Sequence, residues 1–248
     1  MKGLDFNIAY HMYKTAIITG AGRGIGRETA LLLAKNGLNI IVCSRTQREL
    51  DSVTREISKS SNSNHVVGVK CDVSKPLEVN HLIQKTVDSF NGVDILVNNA
   101  GIAFISKLID TSEEQWNKTI DINLKGTFLC TKAVLPFMLR SGFGVIINVS
   151  SGAGKIGFPN ISAYCASKFG IIGMTESLSW EVGGTDIRVM AICPGEVDTR
   201  MQEDLNKEYY GENKNKMLKP EQIAHKIVDM IFDNRHQYAS GQSVIVDP

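Results

Sequence analysis

The sequence predicts an α/β fold in which a mostly parallel sheet of seven strands carries helices on both faces. Short apolar runs alternate with segments of helical periodicity along the whole chain, which is typical of βαβ units. The apolar runs contain few polar residues, and this composition indicates strands buried on both faces. At 248 residues, 43% of them hydrophobic, the chain is long enough to bury a large core in one domain.

The predicted strands and helices alternate in chain order. The strands are TAIIT (15–19), LNIIVC (38–43), VVGVKC (66–71), DILVN (94–98), GVIINVS (144–150), IRVMAIC (187–193) and SVIV (243–246). The helical segments are 24–36, 46–59, 75–90, 112–140, 162–183 and 220–233. This order gives one helix for each crossover between parallel strands, so we expect a doubly wound sheet.

Two segments depart from the alternation. Residues 1–13 carry no motif, and we assign them to an N-terminal extension of a single domain that spans 14–248. Residues 198–219 form a polar, charged run between a strand and a helix. Connections of this length are commonly lids over a substrate or else disordered. We predict a substrate loop at 198–219; a solvated insertion is the alternative.

Charge and composition favour a small-molecule partner. The chain has 27 Lys and Arg against 26 Asp and Glu, so no net field attracts nucleic acid or an anionic membrane. No apolar run approaches about 18 residues and the N-terminus lacks a secretory signal pattern, so we expect a cytoplasmic protein.

The five cysteines form no CxxC pair, which predicts buried free thiols. No His or Cys pair has zinc-ligand spacing, so we predict no metal.

The segment TGAGRGIG (19–26) joins the first predicted strand to the first predicted helix. At this position in a βα unit, unpaired helix N–H groups and the helix dipole bind pyrophosphate. The common spacing GxGxxG does not fit, because Ile25 or Arg27 occupies the place of its third glycine. The spacing that fits is GxxxGxG, on Gly20, Gly24 and Gly26. Gly22 is left without a role.

The second predicted strand indicates which dinucleotide binds. In a dinucleotide-binding fold an acid at the end of this strand takes the adenosine ribose 2′-hydroxyl, whereas an arginine accommodates a 2′-phosphate. Here Ser44 occupies the place of the acid and Arg45 follows it. Arg23 of the glycine loop can reach the same phosphate, and two guanidiniums suit a dianion. We predict NADPH (NADP+) as the cofactor, with NADH as the less favoured alternative.

Further motifs resemble those of the short-chain dehydrogenase/reductase family, in its single-domain branch. In the order and spacing of that family, these are TGAGRGIG (19–26), CDV (71–73), NNAG (98–101), the Asn of INLKG (122–126), NVSS (148–151), YCASK (164–168) and PGEVDT (194–199). The resemblance implies a Rossmann-like fold and an NAD(P)-dependent oxidoreductase that acts on CH–OH or C=O groups. Within the family, the chain is similar to 3-oxoacyl-thioester reductases and related carbonyl reductases.

The resemblance also implies where the cofactor lies. Asp72 and Val73 flank the adenine, and Asn98, Ala100 and Gly101 line the adenosine side. In PGEVDT, Pro194 and Gly195 turn the chain, while Val197 and Thr199 bind the nicotinamide carboxamide. The cofactor-binding residues expected in this way are Gly20, Arg23, Gly24, Ile25, Gly26, Ser44, Arg45, Asp72, Val73, Asn98, Ala100, Gly101, Tyr164, Lys168, Pro194, Gly195, Val197 and Thr199.

Four residues are candidates for catalysis. Tyr164 and Lys168 are four apart at the start of a predicted helix, so their side chains share one face. A free phenol has a pKa near ~10, and a nearby ammonium favours the phenolate. By resemblance, Ser151 hydrogen-bonds the substrate carbonyl, with its neighbour Ser150 as the alternative. Asn123 interrupts its helix and completes a proton relay beside the lysine, again by resemblance.

The implied reaction is hydride transfer from the nicotinamide to a ketone, with Tyr164 protonating the alkoxide and Ser151 stabilising it. A 3-oxoacyl thioester of coenzyme A or acyl carrier protein is one candidate substrate. Basic residues that relatives use to bind the carrier are replaced here by Gly142 and Thr185, although Arg140 lies close by. The alternatives are an NADP-linked alcohol, hydroxysteroid or other small-carbonyl dehydrogenase, and a non-catalytic NADPH-binding regulator.

The helical segments 112–140 and 162–183 contain more apolar positions than one covered sheet face uses. In the family, these helices pack across a two-fold axis. We therefore expect a homotetramer or a homodimer.

Overall fold

A computed structural model describes residues 14–60, 65–233 and 236–247. In this part of the chain one sheet of seven parallel strands has the order β3-β2-β1-β4-β5-β6-β7. The strands are β1 (Thr15–Thr19), β2 (Asn39–Ser44), β3 (Val66–Lys70), β4 (Ile95–Asn98), β5 (Phe143–Val149), β6 (Asp186–Pro194) and β7 (Ser243–Val246). The predicted fold class is confirmed, and the extension predicted at 1–13 lies outside the described residues.

Helices cover both faces of the sheet. They are α1 (Gly24–Lys35), α2 (Gln47–Ser60), α3 (Pro76–Phe90), α4 (Glu113–Ile120), α5 (Gly126–Ser141), α6 (Ser162–Glu181), α7 (Arg200–Leu205), α8 (Lys207–Asn213) and α9 (Pro220–Ile231). Apolar residues of α1, α2 and α9 pack on one face, and those of α3, α5 and α6 pack on the other.

Alternation along each strand supplies the two cores. Ile18 of β1 and Val42 of β2 belong to the core under α1, α2 and α9. Ile17 and Ile41, one residue earlier, belong to the core under α3, α5 and α6. Successive strand side chains point to opposite faces, so a strand with a core on each face has to be apolar at every position. The uniformly apolar strands of the sequence have this physical cause.

The predicted helix 112–140 is interrupted at Asn123, as the resemblance implied. Helix α4 ends at Ile120, a π-helical turn spans Asp121–Lys125, and α5 begins at Gly126. The buried Asn123 side chain accepts a hydrogen bond from the Ile102 N–H at 2.8 Å and donates to the Ile102 carbonyl at 2.9 Å. These bonds hold the side chain against the segment after β4, and π turns of this kind are frequent at functional sites.

The polar run 198–219 is helical rather than a loop over much of its length. Helices α7 and α8 are capped by Thr199 and Asn206, whose side-chain oxygens accept hydrogen bonds from N–H groups of the first turn. The Tyr209 hydroxyl donates to Glu196 at 3.0 Å, and Lys219 donates to Asp198 at 2.8 Å. These contacts hold the segment against the chain that follows β6.

All five cysteines are buried and unpaired, as the sequence predicted. None of the helices described for 14–60, 65–233 and 236–247 is both long and apolar enough to cross a membrane.

Candidate active site

A cleft of about 300 Å³ lies at the carboxyl ends of the parallel strands. Chain segments that follow β1 to β6 all contribute to it, because the ends of parallel strands meet at one edge of the sheet. Most residues that the sequence predicted for the site line this cleft. They are Gly20, Arg23, Gly24, Ile25, Ser44, Arg45, Asp72, Val73, Ala100, Gly101, Ser151, Tyr164, Lys168, Pro194, Gly195, Val197 and Thr199. Gly26, Asn98 and Asn123 lie behind the lining.

The glycine loop has a backbone that requires glycine at two of its positions. Gly20 and Gly24 have φ values of +63° and +56°, which disfavour residues with a side chain. A Cβ on Gly20 would lie 2.8 Å from the Cα of Ala100, so the crossing of the two segments also requires glycine. Arg23, at the N-cap of α1, provides no side-chain hydrogen bond to the first turn. The helix N-terminus in the cleft can therefore bind an anion, which fits a dinucleotide cofactor.

One further side chain, that of Asn99, holds the glycine loop in place. The Asn99 amide donates to the carbonyl of Thr19 at 3.0 Å and to that of Gly20 at 3.2 Å. A Cβ on Gly26 would lie 2.5 Å from this amide, so Gly26 makes room for Asn99. Asn99 lines the cleft although the sequence analysis gave it no role. Its place in NNAG, beside predicted site residues, was the available signal.

Asp72, Arg45 and Val73 line the part of the cleft where the resemblance implies the adenosine. Burial alone would raise the pKa of Asp72, but hydrogen bonds from the Ser74 N–H and hydroxyl, together with Arg45, outweigh burial and lower this pKa. The two bonds are 3.1 and 2.7 Å long. Asp72 is therefore charged at neutral pH and can accept a hydrogen bond from an exocyclic amine.

Glu49 is a residue that the sequence analysis missed at this end. One oxygen of its carboxylate accepts a hydrogen bond from the Ser44 hydroxyl at 3.3 Å, and the other lies 3.6 Å from the Arg23 guanidinium. The sequence signal was its position in the first turn of α2, which faces the end of β2. Gly22 also gains a role, because a Cβ there would lie 2.8 Å from the Cβ of Glu49 and 3.0 Å from the Ser44 hydroxyl.

Tyr164, Lys168 and Ser151 meet at the opposite end. The Lys168 ammonium donates to the Val149 carbonyl at 2.8 Å and lies 5.4 Å from the centre of the Tyr164 ring. The Ser151 hydroxyl hydrogen-bonds the phenol and accepts from the Ala153 N–H at 3.1 Å. The neighbouring Ser150 donates to the Lys168 carbonyl at 2.9 Å, so its hydroxyl is engaged in holding α6.

Burial is the largest influence on the pKa values of Tyr164 and Lys168. It raises the pKa of the Tyr164 phenol above its ordinary value, and the hydrogen bond from Ser151 opposes the shift. It also lowers the pKa of Lys168 to about 8. The net direction of the Tyr164 pKa is therefore upward, because desolvation of the phenol is the largest cause. That Lys168 favours the phenolate stays a prediction. Tyr164 is protonated at neutral pH and can donate a proton.

Asn123 lies behind this group and contacts it through α6. Its amide donates to the Ser167 hydroxyl at 3.0 Å, and that hydroxyl donates to the Tyr164 carbonyl at 2.7 Å. A Cβ on Gly101 would lie 3.4 Å from the Asn123 side-chain oxygen and 3.7 Å from the Lys168 ammonium. Asn123 thus fixes the start of α6 and the segment after β4 relative to each other.

The Asn98 side chain points into the protein. It donates to Asn148 at 2.9 Å and to Thr131 at 3.0 Å, and Asn148 donates to Thr175 at 2.9 Å. These buried bonds join the ends of β4 and β5 to α5 and α6. Only the backbone of Asn98 remains available to shape the cleft.

A model of the short chain dehydrogenase family matches residues 14–210. The chain belongs to this family. A 3-oxoacyl-[acyl-carrier-protein] reductase of Synechocystis sp. is 38% identical to this short-chain dehydrogenase/reductase over 244 residues, with 94% of this chain and 95% of the relative covered. A D-beta-hydroxybutyrate dehydrogenase of Rhizobium meliloti is 40% identical over 193 residues, with 77% and 74% covered.

A solved structure of an actinorhodin polyketide ketoreductase variant with NADPH has a TM-score of 0.88 to this short-chain dehydrogenase/reductase. The two are 31% identical, and the match covers 95% of this chain and 96% of that structure. Family membership and relatives named as reductases and dehydrogenases make the protein an oxidoreductase.

Proposed function

We propose that this protein is an NADPH-dependent reductase that converts a ketone to a secondary alcohol. Ser151, Tyr164 and Lys168 line the same cleft as Arg23 and Arg45, and this observation carries the proposal. Ser151 follows β5 and Arg45 follows β2, three places away in the sheet, so the two groups lie at opposite ends of the cleft. One end can protonate an alkoxide and the other can bind a phosphate. A non-catalytic NADPH-binding regulator would not need Ser151, Tyr164 and Lys168 in this arrangement.

Each catalytic side chain has a part that its surroundings support. The nicotinamide, when bound, supplies the hydride. Ser151 hydrogen-bonds the carbonyl oxygen, and Tyr164 gives its phenol proton to the same oxygen as negative charge develops there. The raised pKa of Tyr164 keeps that proton in place at neutral pH. Lys168 provides positive charge beside the phenolate that remains, and Asn123 positions α6.

The cofactor extends from the phosphate end of the cleft to Tyr164 in this proposal. The first turn of α1 holds the pyrophosphate, and Asp72 accepts a hydrogen bond from the adenine amine. The cleft is also lined by Pro194, Gly195, Val197 and Thr199, which would hold the nicotinamide. The NADPH named with the similar ketoreductase supports the choice of cofactor.

A 3-oxoacyl thioester is the substrate that the comparisons favour, because relatives that match nearly the whole chain are named 3-oxoacyl reductases. Residues 198–219 would act as its lid, since Met201 and Gln202 of α7 line the cleft. The second candidate is a small 3-hydroxy acid and its ketone, which the name of the Rhizobium meliloti relative supports. A hydroxysteroid or another small carbonyl compound is a further alternative.

We further propose that residues 14–248 act as one domain of a cytoplasmic homotetramer or homodimer. Phe128 on α5 and Phe169 on α6 are each 45% exposed, and a second copy would cover such apolar residues. Size-exclusion chromatography with light scattering tests this arrangement, and a monomer at micromolar concentration would contradict it.

Oxidation of NADPH in the presence of single ketones tests the proposed reaction. We expect acetoacetyl-CoA to oxidise NADPH, with slower oxidation for acetoacetate and for a cyclic diketone. The same mixtures without ketone are the control. Faster reaction of acetoacetate would favour the hydroxy-acid alternative. If no ketone in the panel oxidises NADPH or NADH, the proposal is overturned.

A further inference from the structure

Glu49 places a carboxylate at the position assigned to the cofactor 2′-phosphate. Its two oxygens contact Ser44 at 3.3 Å and Arg23 at 3.6 Å, the residues from which the phosphate preference was predicted. Ser44 in turn accepts a hydrogen bond from the Thr46 N–H at 3.3 Å. All four of these residues line the cleft. Two of the three groups predicted to bind the phosphate, Arg23 and Ser44, are therefore already partnered by an anion of the protein itself.

The backbone around Glu49 leaves room for this arrangement. The Glu49 N–H donates to the Thr46 carbonyl at 3.1 Å, which fixes the residue in the first turn of α2. A Cβ at Gly22 would crowd both Glu49 and Ser44, so a glycine at 22 admits the carboxylate to the pocket. Glu49 is also the more enclosed partner, with 27% of its side chain exposed against 51% for Arg23.

We propose that Glu49 is a specificity-determining residue that weakens the preference for a 2′-phosphate. With a 2′-hydroxyl in the pocket the carboxylate can remain and accept a hydrogen bond from it. A 2′-phosphate carries the same sign of charge, so Glu49 has to leave the pocket and release Arg23 before the phosphate binds. With Glu49 in the pocket, we expect weaker discrimination in favour of the 2′-phosphate than the two arginines alone would produce. This inference rests on the proposed dinucleotide-dependent function and sharpens its cofactor choice.

Two nucleotides that differ only in the 2′-phosphate provide the test. Adenosine 2′,5′-bisphosphate and adenosine 5′-monophosphate are titrated into the full-length protein by isothermal calorimetry. For Glu49→Gln we expect the bisphosphate to bind about tenfold more tightly, because one like charge is removed near a dianion. The monophosphate should bind within about twofold of the wild-type value, because glutamine keeps an acceptor for the 2′-hydroxyl.

Asp51→Asn is the matched control variant. Asp51 lies on the same helix, is exposed and accepts a hydrogen bond from Gln47 at 2.8 Å, so its variant removes the same charge away from the pocket. We expect it to change the ratio of the two dissociation constants by less than about twofold. Glu49→Ala serves as a second variant, and the thermal unfolding of all variants is compared with that of the wild type.

The outcomes separate this inference from the proposed function. An unchanged ratio in both Glu49 variants, or an equal change in Asp51→Asn, overturns the role of Glu49 and leaves the reductase proposal intact. If the wild-type protein binds neither nucleotide and oxidises neither NADPH nor NADH with any ketone, both proposals are overturned together. The inference is supported if the ratio of bisphosphate to monophosphate affinity rises in Glu49→Gln and does not rise in Asp51→Asn.

Discussion

The two ends of the cleft hold their charged groups in different ways. At the catalytic end, Lys168 is 4% exposed and donates to a backbone carbonyl at 2.8 Å. At the phosphate end, Arg23 is half exposed and lies 3.6 Å from its carboxylate partner. Burial changes pKa values strongly, whereas an ion pair between partly exposed side chains contributes only about 0 to 1 kcal/mol. The comparison teaches that the residues proposed for the chemistry are held in the core, while the proposed cofactor preference depends on weak contacts that a ligand can displace.

Replacing Tyr164 by phenylalanine would separate the two ends most sharply. The phenol hydroxyl is the proposed proton donor, and loss of a general acid lowers turnover by about 10²- to 10⁴-fold. We therefore expect kcat for ketone reduction to fall about 10³-fold, measured by NADPH oxidation. Binding of adenosine 2′,5′-bisphosphate should stay within about twofold, because the phosphate end is unchanged. A Tyr164→Phe enzyme that turns over at the wild-type rate would refute the assignment of the acid.

Lys168→Met tests whether the catalytic end is held at the expense of stability. Burial lowers the pKa of Lys168 from its ordinary 10.5 to about 8, so the folded state disfavours the ammonium below that pH. This penalty is largest below pH 8 and disappears as the pH rises through 10.5, where the unfolded chain also loses the proton. After allowance for the lost hydrogen bond to Val149, we expect Lys168→Met to raise the free energy of unfolding by about 2 kcal/mol at neutral pH.

Urea denaturation at two pH values measures this effect. The stability gain of Lys168→Met should shrink as the pH approaches the ordinary pKa of lysine, while ketone reduction is impaired at both pH values. A Lys168→Met variant that is less stable than the wild type at neutral pH would show that the buried ammonium stabilises the fold. That result would contradict the destabilising effect of burial expected here.

Arg23→Ala should have the smallest effect, and it should be confined to the phosphate end. A hydrogen bond to a charged group contributes about 1.5 to 3 kcal/mol, and half exposure of Arg23 places it at the lower limit, about tenfold in affinity. We expect adenosine 2′,5′-bisphosphate to bind about tenfold more weakly, with kcat at saturating NADPH unchanged. Arg48→Ala, on the exposed surface of α2, is the matched control. Equal losses in the two variants would contradict a specific phosphate contact.

The sequence predicted the framework of the molecule because its pattern has a local cause. Strands buried on both faces must be apolar at every position, so runs such as TAIIT and LNIIVC were recognisable without a structure. The glycine loop was recognisable because Gly20 and Gly24 adopt backbone conformations that favour glycine. The resemblance to a family then named most of the residues that line the cleft.

The features that sequence reasoning missed depend on contacts between distant segments. Glu49 has no motif of its own and acquires its place only because the first turn of α2 faces β2 and Gly22 leaves space for it. The pKa of Tyr164 depends on how deeply α6 packs, which four-residue spacing does not reveal. Helices α7 and α8 were missed because polarity indicated a loop, although the capping residues Thr199 and Asn206 were a visible signal.

Transfer of deuterium from NADPH to product tests the central claim most directly. NADPH carrying deuterium at both C4 positions of the nicotinamide is mixed with the enzyme and acetoacetyl-CoA, and the alcohol product is analysed by mass spectrometry. Direct hydride transfer predicts one deuterium on the carbinol carbon of every product molecule, and none from deuterated water at that carbon. Product without this deuterium, or labelled there from the solvent, would contradict the account.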